Sequence, residues 1–263
     1  MIGIGATLFK VPTMHGGAAF SPASLFSDGE EGFWYDPSDL STLFKDDGTT
    51  PAVVDDVVGK ILDKSGNGNN LIQATSTKCP ILRQSGSLYY LEFDGIDDNL
   101  RTENTIDFSG GDQMTICTGA TKDVDGTMVI LEHTSNIGNN NGTFRMAAIT
   151  GDVWRYTSKG TILSNSTANN YTAPTTNVLT GLSDISADSA IIRVDGVQKN
   201  ESTSNQGDGN YANDRLNVGS RNTGFGLQLD GRIYGLLGRA LVSSTVEIVS
   251  LESYMAAKTG VSI

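Results

Sequence analysis

Apolar residues recur at every second position in a series of short runs, and glycine- or asparagine-rich bends separate the runs. Tyr89, Leu91 and Phe93 alternate against Tyr90 and Glu92, and Asp94-Gly95 closes that run. Met114, Ile116 and Thr118 alternate next, followed by Phe144, Met146 and Ala148 and then by Trp154 and Tyr156. Thr127 to Leu131, Val178 to Leu182 and Ala190 to Val194 are β-branched and apolar; Leu216 with Val218, and Ile233 with Gly235 and Leu237, complete the series. Side chains of a strand alternate between its two faces, so a period of two predicts strands with one buried side. The bends Asn139–Gly142, Gly151-Asp152, Asp195-Gly196 and Gly207–Asn210 supply the turns. The pattern predicts at least eight antiparallel strands in two packed sheets.

Helical signals are few. Pro37 followed by Ser38 to Phe44 reads as a single turn with Leu40, Leu43 and Phe44 on one face, and Ser24, Asp28 and Ser38 are candidate caps. Ser244-Thr245-Val246-Glu247 is a capping box. Ile248, Leu251 and Met255 follow at helical spacing, Lys258 falls in the last turn, and Gly260 is a natural terminator. This helix is expected to pack over a sheet edge. The fold class expected is therefore all-β: an antiparallel two-sheet jelly-roll sandwich over 31–263, with one C-terminal helix and an extended arm over 1–30.

Composition sharpens the picture. The chain has 263 residues, and Gly, Asn, Ser and Thr make up 39% of it, which excludes a coiled coil or a helical bundle. The formal net charge is −12, so nucleic acid and anionic membrane surfaces are not expected partners. No run of about 20 apolar residues predicts a spanning helix. Lys10 and Pro12 interrupt the first apolar stretch and no basic residue precedes it, so residues 1–20 do not read as a secretion signal. They read as an arm, laid either on the domain's own sheet or on a neighbour in a larger assembly. Cys79 and Cys117 could pair or could both be buried thiols.

Several segments in order resemble the laminin-G-like, concanavalin A-like jelly rolls. Asp63-Lys64-Ser65-Gly66-Asn67-Gly68-Asn69-Asn70 is similar to the loop that precedes their FDG-x-DD signature, which Phe93-Asp94-Gly95-Ile96-Asp97-Asp98 matches. Arg193–Val197, Leu216–Ser220 and Leu229–Gly235 resemble their later strands. A narrower resemblance, to virion proteins of tailed bacteriophages that carry this domain, lies in Ser21–Phe26, in Phe33-Trp34-Tyr35-Asp36-Pro37-Ser38-Asp39-Leu40 and in Leu251–Val261. It implies a particle component, on head or tail, with a lectin-like module, attached through residues 1–30 to capsid or tail proteins. A host-surface glycan and further copies of the chain are the other partners it suggests.

Candidate chemistry is sparse. Asp63, Ser65, Asn67 and Asn69 place side-chain oxygens at alternate positions, like the front of a calcium loop, with Asp97 or Asp98 as further ligands. The same residues also make an Asx-type turn; any ion there would be structural. Glu92 and Asp94 share one side of a strand, but Gly95 breaks it before the third acid that a glucanase cluster needs. His15 and His133 are the only histidines, and no nucleophile elbow is present. No catalytic residue is assigned, and a carbohydrate-active enzyme on the same fold is the alternative. Trp154, Tyr156, Tyr171 and Tyr211 are the candidates for stacking on sugar rings, with the loops 135–142 and 203–214 offering amides and carboxylates.

Overall fold

A computed structural model describes residues 20–134, 136–222 and 226–263; residues 1–19, the greater part of the expected arm, lie outside it. In chain order the strands begin with β1 (Gly32–Tyr35), β2 (Leu43–Phe44), β3 (Lys60–Ile61), β4 (Leu71–Ile72), β5 (Ile81–Ser85) and β6 (Leu88–Asp94). β7 (Leu100–Thr102), β8 (Ile106–Asp107), β9 (Gln113–Lys122), β10 (Met128–His133) and β11 (Thr143–Ile149) follow. Next come β12 (Val153–Lys159), β13 (Leu163–Ala168), β14 (Thr175–Asp184), β15 (Ser189–Val194) and β16 (Val197–Ser202). β17 (Asn213–Asp214), β18 (Leu216–Val218) and β19 (Asp230–Arg239) lead into helix α1 (Thr245–Thr259).

These strands form the expected antiparallel sandwich. One sheet of eight strands runs β16-β15-β14-β9-β19-β6-β5, with β1 also paired to β19. The other, of nine, runs β13-β12-β11-β10-β18-β7-β4-β3-β2. The alternating residues of both sheets meet between them: Phe93, Ile116, Leu131, Phe144, Met146, Trp154, Tyr156, Leu179 and Val218 all belong to one buried cluster. The Asp195-Gly196 turn joins β15 to β16 with φ of 51° and 77°, the two left-handed residues of a type I′ hairpin.

The capping box forms as read: the Ser244 hydroxyl accepts from the Glu247 amide, and the Glu247 carboxylate accepts from the Ser244 amide. The helix does not lie at a sheet edge. It crosses the outer face of the eight-stranded sheet over β9, β14 and β19. Glycine makes this possible. A Cβ on Gly119 would sit 2.3 Å from Thr259 Cγ2, and one on Gly235 would sit 2.9 Å from Met255 Sδ. Leu251, Met255 and Ala256 thereby reach Cys117, Val178 and Leu237, and Leu25, Phe26 and Trp34 complete this second core. Leu25 and Phe26 come from a 3-10 turn, Pro22–Phe26, whose N-cap is Ser21 rather than the expected Ser24 or Asp28. Cys79 and Cys117 are buried, unpaired thiols.

Some strands carry no alternation to read. β1 is buried at all four positions because its outward side lies beneath α1 and the 3-10 turn. β16 is exposed almost throughout, and β13 turns inward only Ser164, Ser166 and Ala168. The turn expected at Ser38–Phe44 shrinks to Leu40–Thr42: Leu43 starts β2 and is buried, whereas Leu40 is exposed.

Candidate ligand-binding face

The 63–69 loop is built as a staple. Asp63 Oδ1 accepts from the Trp34 and Ser65 amides, and Oδ2 accepts from the Asn69 amide and the Ser65 hydroxyl. Asn67 Nδ2 donates to the Glu30 and Gly32 carbonyls, and Asn69 Nδ2 to the Gly32 carbonyl and the Glu31 carboxylate. Four donors saturate Asp63, and the amides point their nitrogens at β1. Asp63, Ser65, Asn67 and Asn69 hold an Asx-type turn against the strand, the second of the two readings the loop allowed.

Asp97 and Asp98 do not join them. They group with Asp94, the three carboxylates offering oxygens within 4.8 Å of one another. Asp94 Oδ1 accepts from the amides of Ile96 and Asp97, and the Asp94 amide donates to Asp98 Oδ2. Burial, then the charge of Asp94, pushes the Asp98 carboxyl up to about 7. Calcium takes six to eight oxygens, and part of this set already holds the turn; Asp94, Asp97 and Asp98 are the described residues that could share a cation. A pocket of about 330 Å³ beside them is lined by Arg83, Glu92, Asp94, Asp98, Asp123 and Asp230. Glu92 in it is paired with Arg83 at 2.7 Å.

Three of the four expected sugar-stacking aromatics are interior. Trp154 and Tyr156 are fully buried and Tyr211 is 1% exposed. The Tyr156 and Tyr211 hydroxyls bond Ser183 and Ser158 inside the sandwich, and Trp154 Nε1 donates to Asn177. Alternation allowed either face; the register of β12 turns Trp154 and Tyr156 toward the opposite sheet. Tyr171 is half-buried and packs against the core. The loop 203–214 does supply a polar pocket, about 470 Å³, lined by Asp112, Asp188, Asn205, Asp208 and Asn210. Of the loop 135–142, residues 136–142 are described; there Ile137 and Gly138 turn their carbonyls to the Lys159 ammonium, at 3.2 and 3.0 Å.

The face that reading the aromatics passed over is the other side of the same strands. Pairing aligns Asn165, Thr157, Arg145, Glu132, Asn217, Arg101, Ile72 and Lys60 in one row across the nine-stranded sheet, on the side away from the core; Thr157, Arg145, Glu132 and Asn217 at its middle are buried, whereas Asn165 at one end and Arg101, Ile72 and Lys60 at the other are accessible. Arg155 and Lys159 share that outward side of β12, and Arg215 and Arg221 flank β18. A chain of net charge −12 thus places Lys60, Arg101 and Arg145 with Glu132 in one row, and Arg155, Lys159, Arg215 and Arg221 beside it.

Pairing leaves most of that charge uncompensated. Glu132 is fully buried and meets Arg145 at 3.5 Å and Arg221 at 3.4 Å. Burial pulls the Arg145 guanidinium below its ordinary pKa; Glu132 opposes the shift, and the charges of Arg221 and Arg155 add to it. The Nε atoms of Arg145 and Arg155 are buried without a hydrogen-bond partner, and that of Arg221 has only the 3.4 Å ion-pair contact to Glu132 Oε1. Among the described residues no carboxylate pairs with Lys60, Arg101, Arg155 or Arg215. The undescribed stretches contain no Asp or Glu. The signal was present in the sequence as cations at alternate positions, Arg155 and Lys159 between and beyond the aromatics.

No protein-family model matches the sequence, and no curated protein matches it either. Solved structures share the fold. The binding domain of botulinum neurotoxin serotype G superposes with a TM-score of 0.58 at 13% identity, over 75% of this chain and 49% of that one. The serotype D binding domain gives 0.55 at 11% identity, over 82% and 52%. A Trypanosoma rangeli sialidase gives 0.57 at 11% identity, over 87% and 33%. The chain spans about half the length of the neurotoxin binding domains and a third of the sialidase. At such identities the likeness is one of fold: a β-sandwich of the kind found in receptor-binding domains and in a sialidase.

Proposed function

We propose that this chain is a non-enzymatic display protein of a tailed-bacteriophage particle, whose sandwich presents the outer face of the nine-stranded sheet to host-surface glycans. The observation that carries the binding part is the accessible portion of that face: Lys60, Arg101, Arg155 and Arg215, half-buried on a rigid sheet and without carboxylate partners in an acidic protein. Weak contacts of this type gain strength from many copies on one particle. The virion part rests on the resemblance of Phe33–Leu40 and Leu251–Val261 to phage proteins, and the two segments touch in the fold through Trp34, Asp36, Tyr254 and Lys258. Residues 1–30 are proposed to attach the chain to capsid or tail neighbours, with other copies of the chain as further neighbours. Nucleic acid and membrane are not proposed as partners.

Two experiments test this. Mass spectrometry and immunogold labelling of particles purified from cells carrying the gene should find the chain on them; its absence from the particle fraction overturns the virion assignment. A glycan array probed with the chain should give binding that a triple Arg101→Gln, Arg155→Gln, Arg215→Gln variant loses; unchanged binding overturns the sheet face as the site.

The pocket at Asp94 and Asp98 favours a second reading, a glycoside hydrolase. A carboxyl raised to about 7 in a pocket lined by further carboxylates is a feature such enzymes use. Against it, Asp94 ends its strand and holds the amides of Ile96 and Asp97, and Asp97 and Asp98 lie on that turn rather than on the strand. Reducing-end release from a polysaccharide panel that Asp98→Asn abolishes would establish the enzyme; no release from any member sets it aside.

A further inference from the structure

At one end of the cationic row the sheet face closes into a pocket of about 330 Å³, lined by Ile72, Gln73, Thr75, Lys78, Asn99 and Arg101. No carboxylate lines it, and among the described residues neither Lys78 nor Arg101 has an ion-pair partner. Arg215 stands two residues before Asn217, the register partner of Arg101, and so lies diagonally across from Arg101, close enough for their charges to interact. Burial and that second charge both hold the Arg101 guanidinium below its ordinary pKa. Two cations kept together without an anion make an unfavourable ground state that an anionic ligand relieves.

The neutral part of the wall is fixed. Gln73 Nε2 donates to Asn99 Oδ1 at 2.9 Å, Gln73 Oε1 accepts from the Thr75 amide, and Asn99 Nδ2 donates to the Asp97 carbonyl. The backbone ties Asn99 to Lys78, through the Asn99 amide and the Lys78 carbonyl at 3.0 Å. The wall therefore offers pre-set amide groups and the Thr75 hydroxyl for ring hydroxyls, and Ile72 with Ala74 for a C–H face. The volume admits a sugar ring rather than a length of peptide strand.

We infer that this pocket binds the carboxylate of an acidic saccharide, with Arg101 and Lys78 as its charge partners and Gln73, Thr75 and Asn99 around the ring. The inference rests on the glycan-binding reading above and names the ligand class for one end of that face. A uronic acid and a nonulosonic acid share this chemistry.

Isothermal titration of the full chain is the test, with a glucuronate-bearing hyaluronan tetrasaccharide and sialyllactose as acidic probes, and cellotetraose and lactose as neutral ones. One or both acidic probes should bind roughly tenfold tighter than the neutral ones, as for a charge-assisted bond, and raising salt should erase the difference. Which acidic probe wins identifies the source. Arg101→Gln and Lys78→Gln should each weaken the acidic probe about fivefold or more, and weaken the neutral ones by less, so that the acidic-over-neutral preference narrows. Both variants should fold, since neither removal orphans a carboxylate; melting curves check this. Equal affinity for acidic and neutral probes, or an unchanged Arg101→Gln affinity, overturns the pocket and leaves the glycan reading standing. Failure of every saccharide to bind at millimolar concentration overturns both. Binding of polyglutamate that needs Arg101, without binding of any saccharide, replaces the ligand class.

Discussion

The Lys258 ammonium lies 3.0 Å from Asp36 Oδ2 and 3.1 Å from Oδ1, closing a contact between residues 222 apart in the chain. Asp36 ends the segment after β1, and Lys258 sits in the last turn of α1. The Tyr254 hydroxyl donates to the same carboxylate at 2.8 Å, and the Ser38 amide and hydroxyl do so from the other side. This one side chain fastens the C-terminal helix to the first strand of the domain.

Asp36→Asn should cost about 2 kcal/mol by urea denaturation at pH 7. Burial alone would raise the Asp36 pKa; the hydrogen bonds from Ser38 and Lys258, the Lys258 charge and the Tyr254 hydroxyl outweigh it and hold the group at about 2. A carboxylate held below its unfolded value of 3.8 contributes stability above that pH and loses it as pH falls toward 2. The variant's deficit should therefore shrink below pH 3.8.

His133 and Asp98 should act in opposite directions over one pH range. Burial holds His133, stacked on Phe144, down at about 4, so the unfolded chain takes up its proton first and stability falls as pH drops from 6.5 to 4. Asp98 is held up at about 7, so the folded state binds the proton first and stability falls as pH rises from 3.8 to 7. Each is worth on the order of 2–4 kcal/mol across its window. Denaturation in a chelator should show little net slope for the parent between pH 4 and 6.5. Asp98→Asn should expose the His133 slope, and His133→Gln the opposite one. Identical slopes in all three proteins would contradict this.

Gly119→Ala should destabilise by about 1–3 kcal/mol, the usual cost of overpacking. Its Cβ would enter the space of Thr259 Cγ2. Thr259→Ser removes that methyl group and should recover much of the loss in the double variant, measured by thermal melting.

Arg145→Ala should be among the more damaging polar substitutions, about 3–5 kcal/mol, because it strips one of the two arginines from the fully buried Glu132. Trp154→Ala should cost a similar amount by leaving a cavity in the sandwich. Tyr171→Ala, at a half-buried site, should cost less. If Trp154→Ala instead kept full stability and lost only glycan binding, Trp154 would belong to the ligand site.

Much of the fold was legible because its determinants are local. Alternation named β6, β9, β11 and β12, β-branched apolar runs named β14 and β15, and the capping box with Gly260 named both ends of α1. The motifs that resembled the jelly-roll families are likewise local devices. Asp63 gathers the amides of its own turn and the neighbouring strand, Asp94 caps the turn after β6, and Asp195 accepts from Val178 and Asn177. They identified the architecture because they build it.

The sequence by itself determined that two antiparallel layers would form, where their main turns fall and where the helix begins and ends, since period, turn chemistry and caps act over a few residues. Only the tertiary structure decided which side of each strand faces out. Pairing register placed Trp154 and Tyr156 in the core and brought Arg101, Arg145 and Arg155 onto one sheet face. It also set α1 over Gly119 and Gly235 rather than at an edge. Alternation fixes that two faces differ; which one is covered depends on strands far away in the chain, whose positions no local pattern encodes.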